Sequence, residues 1–442
     1  AVIETSVPRL PVRPPAVPPE PPHVVILGAG FAGLEAAKTL AREPVRVTIV
    51  DRQNYHGFQP LYYQVATAGL EPGGVAHSVR DVFHAARNVD FRMGEVVDID
   101  RAARRIAFAD GTPDLEFDAL IVAAGAETAY YGVPGAREHA LPLKRLPDAT
   151  RLRNHVLERF EAYSGDPEAA GEGALTFVIV GGGATGVELA GAFTELFRIA
   201  LRHDYKAFDT RKARVMLLDQ GEALLAGYPD RLREYARRVL VRRGVEVRLG
   251  VTVARVEADG VVLKGDDGND GERIPAETIV WAAGVEGSPV GALLWVERVR
   301  GKRIPVEPDL RLPGDSRVFV VGDLALVDGQ EHVPQQAQPA QQMGIRAARN
   351  VLAIFEGGAT TPFRYGSMAT IGRNAAVAML FGRLALKGLV AWLAWVFVHL
   401  MRLVGFRNRA MVFVSWVYDY FTYDRSARLI LETPVENGPR AT

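Results

Sequence analysis

The sequence predicts an α/β protein made of two Rossmann-like dinucleotide-binding domains followed by a C-terminal membrane-associating helical region. Three observations predict it. A strand, glycine turn and helix near the start recur 153 residues later. Two further apolar strands end in runs of small residues. Beyond Glu356 the chain becomes apolar, aromatic and basic at once.

The bounds are consistent with this. A chain of 442 residues exceeds one typical core, so two or three domains are expected. An apolar fraction of 48% with 24% charged residues is that of a globular protein. The formal net charge is zero, so nothing global points to nucleic acid. The chain has no cysteine, which excludes a disulfide scaffold, a thiolate zinc site, an iron–sulfur cluster and a thiol nucleophile. No metal site is expected. Residues 1–22 hold prolines at 8, 11, 14, 15, 18, 19, 21 and 22, and that density reads as a disordered, extended arm.

The first unit reads "HVVILGAGFAGLEAAKTLA". Val24 to Leu27 has the composition of a buried parallel strand. Gly28 allows the tight turn, Gly30 lets the backbone approach a pyrophosphate, and Gly33 lets helix and strand pack closely. The following helix points its N-terminus at the phosphates. A second strand ends at Asp51, 18 residues after Gly33, where a carboxylate can accept ribose hydroxyls.

The second unit, "LTFVIVGGGATGVELAGAFTE", repeats the pattern with Gly181, Gly183 and Gly186. Its acid is Asp219, 33 residues past the third glycine, because the helix and loop are extended through "LFRIALRHDYKAFDTRK". Two copies imply two nucleotide sites, against the plainer reading of one site and one relic fold. The strands "FDALIVAAGAET" and "AETIVWAAGVEGSP" end at Gly125 and Gly284, where small residues let a chain crossing pass close to a cofactor. "SRVFVVGDLA" ends a strand at Gly322 and Asp323, which places a carboxylate in the ligand crevice of an open sheet.

Together these features resemble the two-dinucleotide-binding-domain flavoproteins. That resemblance implies FAD in the first fold and NADH in the second, with Asp323 on the FAD ribityl chain and Asp51 on the adenosine ribose. More specific are "FQPLYYQVATAGLEP" (58–72), "YYGVPGAREHALPLK" (130–144), "AQPAQQMG" (337–344), "WAAGV" and "GSMATIGRNAAV" (366–377). With these the chain, from about His23 to Leu431, resembles bacterial type II NADH:quinone oxidoreductases: non-proton-pumping FAD enzymes on one membrane leaflet that reduce a membrane quinone. The resemblance implies an FAD-binding domain in two parts, 23–134 and 305–356. It places an NADH-binding insert at 135–304 and a membrane-anchoring, dimerising region at 357–442. It also implies a homodimer held as a peripheral, monotopic protein on the cytoplasmic side of the cell inner membrane.

Pro339 suits the first turn of a helix running to about Phe355. By the resemblance, its N-terminus faces the flavin and favours negative charge on the reduced ring. Gln338 and Gln342 match the family's two glutamines, and Gln341 stands where some members carry histidine. A glutamine amide can hydrogen-bond a quinone carbonyl but cannot relay a proton as histidine can. The plainer reading is that these glutamines cap a helix or face solvent. Glu188 lies one turn into the second glycine helix, which the resemblance places near the nicotinamide–flavin contact. Glu35 occupies the same register in the first unit, so favourable placement at a helix N-terminus is the competing reading. Asp219 accepts the 2′-hydroxyl of NADH and repels the 2′-phosphate of NADPH, and no Arg or Lys follows until Arg231.

The tail reads as a lipid-facing surface. Between Glu356 and Asp419 there is no acidic residue, against seven basic ones. Trp392, Trp395 and Trp416 and several Phe and Tyr are interleaved, a pattern suited to anionic headgroups. The stretch from Gly388 to Phe406 is 19 residues, at the length threshold for spanning, but His399 and Arg402 favour helices lying in the bilayer surface. A buried dimer helix is a third reading. The rival functions are an NADH-dependent rubredoxin or ferredoxin reductase, and an NADH-sensing flavoprotein resembling apoptosis-inducing factor.

Overall fold

The computed structural model describes residues 20–168, 171–365, 376–380, 384–387, 400 and 406–422. The arm expected at 1–22 and the apolar stretch 388–405 therefore lie outside the described residues, apart from Glu20 to Pro22 and Leu400.

Two five-stranded parallel sheets carry the molecule. The first runs in the order Val318–Val320, Ala119–Val122, His23–Leu27, Arg46–Asp51, Val89–Met93. The second runs Leu141–Pro142, Thr278–Trp281, Thr176–Val180, Arg214–Leu218, Val245–Arg248. His23–Leu27 and Thr176–Val180 are buried along their whole length, as strands covered by helices on both faces must be. The repeat in the sequence is thus a repeat in topology. In each sheet the strand before the glycine turn pairs with the acid-bearing strand on one side and the small-residue strand on the other.

An antiparallel ribbon joins the two sheets. Ala126–Thr128 pairs with Val285–Gly287, so the chain leaves and re-enters the first unit side by side. The ribbon is tied at both ends, by Ser288 N–H to the Gly125 carbonyl at 3.1 Å and Ala129 N–H to the Gly284 carbonyl at 3.1 Å. The buried Trp281 indole donates to the Ala129 carbonyl at 2.7 Å. The return boundary expected at 304 falls within a stretch whose Leu294 and Ile304 already pack in the first core.

The glutamine-rich segment is helical over Ala337–Phe355, matching the expected end, and lies against the first glycine helix, Phe31–Leu40. Gly344 makes that packing possible: a Cβ there would stand 2.1 Å from the Ala32 carbonyl oxygen. The extended segment after the second glycine helix is a π-turn at Leu196–Ala200 and two short 3₁₀ turns, Leu201–His203 and Thr210–Lys212. Phe160, Phe177, Phe193 and Phe197 fill the space beneath it with ring centroids 4.5 to 6.0 Å apart.

Gly344→Ala should destabilise the fold by about 1–3 kcal/mol, because backbone rather than a flexible side chain occupies the space. Urea unfolding checks it; a midpoint equal to the parent protein's would show that the two helices can separate freely.

Candidate active site

The two glycine turns do the same three jobs. Gly28 has φ +108°, and a Cβ on it would lie 2.4 Å from the Ala123 carbonyl oxygen; Gly181 has φ +119° and lies equally close to the Ala282 carbonyl. No other residue fits that backbone and that approach. Gly33 and Gly186 press on the carbonyls of Gly28 and Gly181, at 1.8 and 1.9 Å for a notional Cβ. Gly30 and Gly183 have nothing within 4 Å, and that open space is where a phosphate can reach the helix N-terminus.

The two acids are equally matched. Asp51 Oδ2 accepts Ala29 N–H at 2.7 Å and Oδ1 accepts Gln53 N–H at 2.9 Å. Asp219 Oδ2 accepts Gly182 N–H and Oδ1 accepts Gly221 N–H at 2.7 Å. The different spacing in sequence therefore ends in one geometry. Each carboxylate braces the turn while keeping further lone pairs for a ribose hydroxyl. Burial raises the Asp51 carboxyl above its usual range, opposed by the amides of Ala29 and Gln53. Beneath the first turn His56 Nδ1 donates to the Ala29 carbonyl at 2.9 Å, and burial pushes this imidazole down to about 4, so it is neutral.

A cavity of ≈ 390 Å³ opens on the first turn, lined by Gly28, Gly30, Asp51, Gly125, Glu127 and Lys144 among others. The positive-φ turn, the bare Gly30 and the braced carboxylate fit the dinucleotide of FAD. At the far side, Asp323 Oδ2 stands 3.4 Å from Lys144 Nζ. The Asp323 carbonyl accepts from Gln335 Nε2 at 2.8 Å, just before the glutamine helix. Gly322, with φ +72°, is sandwiched between Ala32 and Ala340, and its N–H meets Met343 Sδ at 3.3 Å. The helix that carries half-buried Gln338, Gln341 and Gln342 is thus fixed to the Gly322–Asp323 turn. Its first turn holds no acidic residue, and no side chain caps it.

Glu188 and Glu35 share a register but not an environment. Glu35 pairs with Lys38 at 2.8 Å on the surface. Glu188 has no ion-pair partner among the described residues, and burial raises its carboxyl well above the usual range. A charge on Glu188 also helps push the Tyr228 phenol upward, after burial itself. Gly284, with φ +156°, lies beneath the Tyr131 hydroxyl.

Sequence reasoning passed over Lys144, Gln59, Glu127 and Arg145. Lys144 Nζ donates to Gln59 Oε1 at 3.1 Å, and Arg145 pairs with Glu127. Gln59 and Lys144 both lie inside stretches quoted for the resemblance, 58–72 and 130–144, but no spacing rule links residues 85 apart in sequence.

The tail helix, Phe406–Thr422, docks on the 58–75 region. Val412 is buried against Gly74, and the Trp416 indole donates to Gln64 Oε1 at 2.9 Å. Its other side shows Met411, Phe413, Val414 and Val417 to solvent, Val414 at 63% exposure. No helix among the described residues is long and apolar enough to cross a membrane.

The pyridine nucleotide-disulphide oxidoreductase model matches residues 22–344, and a model of the NDH2 C-terminal domain matches 365–423. The type II NADH:quinone oxidoreductase Ndh of Mycobacterium tuberculosis is 39% identical over 434 residues, spanning 95% of this chain and 92% of that one. The chain belongs to the type II NADH:quinone oxidoreductase family. A second member from the same organism, NdhA, is 41% identical over 89% of this chain and 86% of its own length. The solved structure of NDH2 from Plasmodium falciparum in complex with NADH covers 93% of this chain and all of that one, with a TM-score of 0.80 at 17% identity; it shares the fold.

Because burial raises the Glu188 carboxyl well above the usual glutamate range, its contribution to stability is fully present below that range. That contribution is lost as pH rises toward the raised folded value, since only the unfolded chain ionises freely. Glu188→Gln should therefore raise the melting temperature at neutral pH and flatten its decline between pH 5 and 8. A variant less stable than the parent at pH 7 would mean that Glu188 is charged and paired.

Proposed function

We propose that this chain is a respiratory, non-proton-pumping NADH dehydrogenase that oxidises NADH and reduces a membrane quinone to quinol. The observation that carries the reading is the pairing of two matched dinucleotide turns with a glutamine-bearing helix fixed beside the first, in a chain 39% identical to a type II NADH:quinone oxidoreductase. The chemistry supplied by bound FAD is hydride acceptance from NADH and two-electron donation to the quinone.

The chain's own residues bind, orient and protonate. Gly28, Gly30 and Gly33 present the first helix N-terminus to the FAD pyrophosphate. Asp51 takes the adenosine ribose; Gly125, Gly322, Asp323 and Gln338 enclose the ribityl and ring end. Gly181, Gly183, Gly186 and Gly284 do the same for NADH. Asp219 selects NADH over NADPH, because a carboxylate already held by two amides cannot turn away from a 2′-phosphate. Gln338, Gln341 and Gln342 orient the quinone by hydrogen bonding to its carbonyls. Those amides cannot relay protons, whereas Glu188 offers a carboxyl whose protonated form burial favours. The functional units are 23–134 with 305–356 for FAD and 135–304 for NADH, the return crossing lying at the 285–287 ribbon.

Residues 357–442 hold the enzyme, as a homodimer, on the cytoplasmic face of the cell inner membrane. Two features support this: the basic, aromatic sequence and the apolar outer side of the tail helix. Quinones dissolve in lipid, so their entrance must lie where protein meets bilayer. The same helix touches the 58–75 segment through Trp416 and Val412, which ties the membrane surface to the cofactor domain.

In anaerobic stopped flow, NADH should bleach the flavin, and quinone in liposomes should restore it in a single turnover. Reoxidation by rubredoxin or ferredoxin but not by quinone would refute the reading. Val414→Glu with Val417→Glu removes two exposed valines whose burial in lipid is worth roughly 1.5–3 kcal/mol each. The double variant should bind anionic vesicles at least about tenfold more weakly while still being bleached by NADH; undiminished vesicle binding would reject the tail helix as the docking surface.

A further inference from the structure

Lys144 is the feature of the cavity that the family resemblance does not explain. Its side chain is only 13% exposed, an expensive position for a charge unless it is matched. The match is partial. Nζ donates to Gln59 Oε1 at 3.1 Å and lies 3.4 Å from Asp323 Oδ2, and the third N–H has no acceptor among the described residues. The side chain cannot easily swing away. Lys144 N–H and Arg145 N–H both donate to Asp148 Oδ2, at 3.1 and 2.7 Å, in the capping box of helix Leu146–Gly165. Lys144 therefore belongs to the NADH unit by sequence, yet its charge is locked between Gln59 and Asp323 of the two FAD parts.

The other charged groups around it are paired or more exposed to solvent. Glu127 is held by Arg145 and lies 3.7 Å from Arg52. Arg303, whose field reaches Asp323, spends its guanidinium on the Ala325 carbonyl at 2.9 Å. Asp51 is braced by two backbone amides. Lys144 is thus the most buried of the cavity's three cations, at 13% exposure against 37% for Arg145 and 51% for Arg52, and it keeps one donor without an acceptor among the described residues. It stands next to Asp323, on the side where the glutamine helix presents its positive end.

We propose that Lys144 sets the electron affinity of the cofactor, its fixed ammonium stabilising the negative charge that the cavity gains on reduction. This rests on the reading of the cavity as the FAD site. Hydride uptake adds one net negative charge, and a preorganised, largely buried cation stabilises such charge without having to reorganise. Removing the ammonium also leaves the Asp323 carboxylate without its partner, so the local change is one full unit toward negative.

The test is the two-electron midpoint potential of the bound flavin, titrated against reference dyes, with the flavin-to-protein ratio measured in parallel for the parent, Lys144→Met and Lys144→Arg. Lys144→Met should retain flavin and lose at least tenfold in the reduction equilibrium, about 30 mV for a two-electron couple. Lys144→Arg, which keeps the charge, should stay within threefold of the parent. An unchanged midpoint in Lys144→Met overturns the proposal. So does loss of flavin from both variants, which would make Lys144 a binding residue only. A parent protein purified without flavin would instead defeat the FAD reading itself, so the two failures are distinguishable.

Discussion

The architecture depends on backbone meeting backbone. At Gly28 and Gly181 the turn lies against the carbonyl of a crossing strand, at Gly33 and Gly186 a helix lies against its own turn, and at Gly344 the glutamine helix lies against the first glycine helix. Each approach is too close for any side chain. Each also brings polar groups within reach of one another: the Ala29 and Gly182 amides to a carboxylate, and the Gly322 amide to Met343. A methyl group at one of these points would separate the elements that define the cavity walls. The glycines are therefore structural first, and the same close packing leaves the helix N-termini bare, as binding a dinucleotide requires.

On this duplicated frame the two units diverge at side chains the glycine rule does not govern. Glu35 and Glu188 occupy the same helical position. One pairs with Lys38 at the surface, whereas the other has no ion-pair partner among the described residues and burial raises its carboxyl well above the usual range. His56, neutral and buried under the first turn, fixes the Ala29 carbonyl. In the second unit the loop after Asp219 covers the turn instead, through the Leu225 amide on the Gly182 carbonyl at 2.9 Å. The scaffold is repeated, whereas the proton inventory is specific to each site. An enzyme that passes two electrons between different partners needs that asymmetry.

The antiparallel ribbon and Trp281 make the two units a fixed pair at their crossing. Lys144 and Asp323 close the gap from the other side, joining the start of the second unit to the last strand of the first. The relative placement of the two units therefore rests on hydrogen bonds and an ion pair between them. The tail helix extends the same logic outward. One side is spent on Gln64 and Gly74, so the apolar side has no protein to cover it among the described residues.

Periodicity and glycine spacing alone determined the two folds, the acids at 51 and 219 and the helix to Phe355, because these are local patterns in which neighbouring residues report one another's geometry. The greasy basic tail was equally legible from composition. Only the tertiary structure decided which acid pairs with a lysine at the surface and which is desolvated, since Glu35 and Glu188 share a helical register and differ in what the fold places around them. It alone brought Gln59, Lys144 and Asp323 together from three separate parts of the chain. It likewise packed Leu294 and Ile304 into the first core, beyond the ribbon of 126–128 with 285–287. Desolvation and long-range pairing depend on chain closure, and no local pattern encodes which distant residue will arrive.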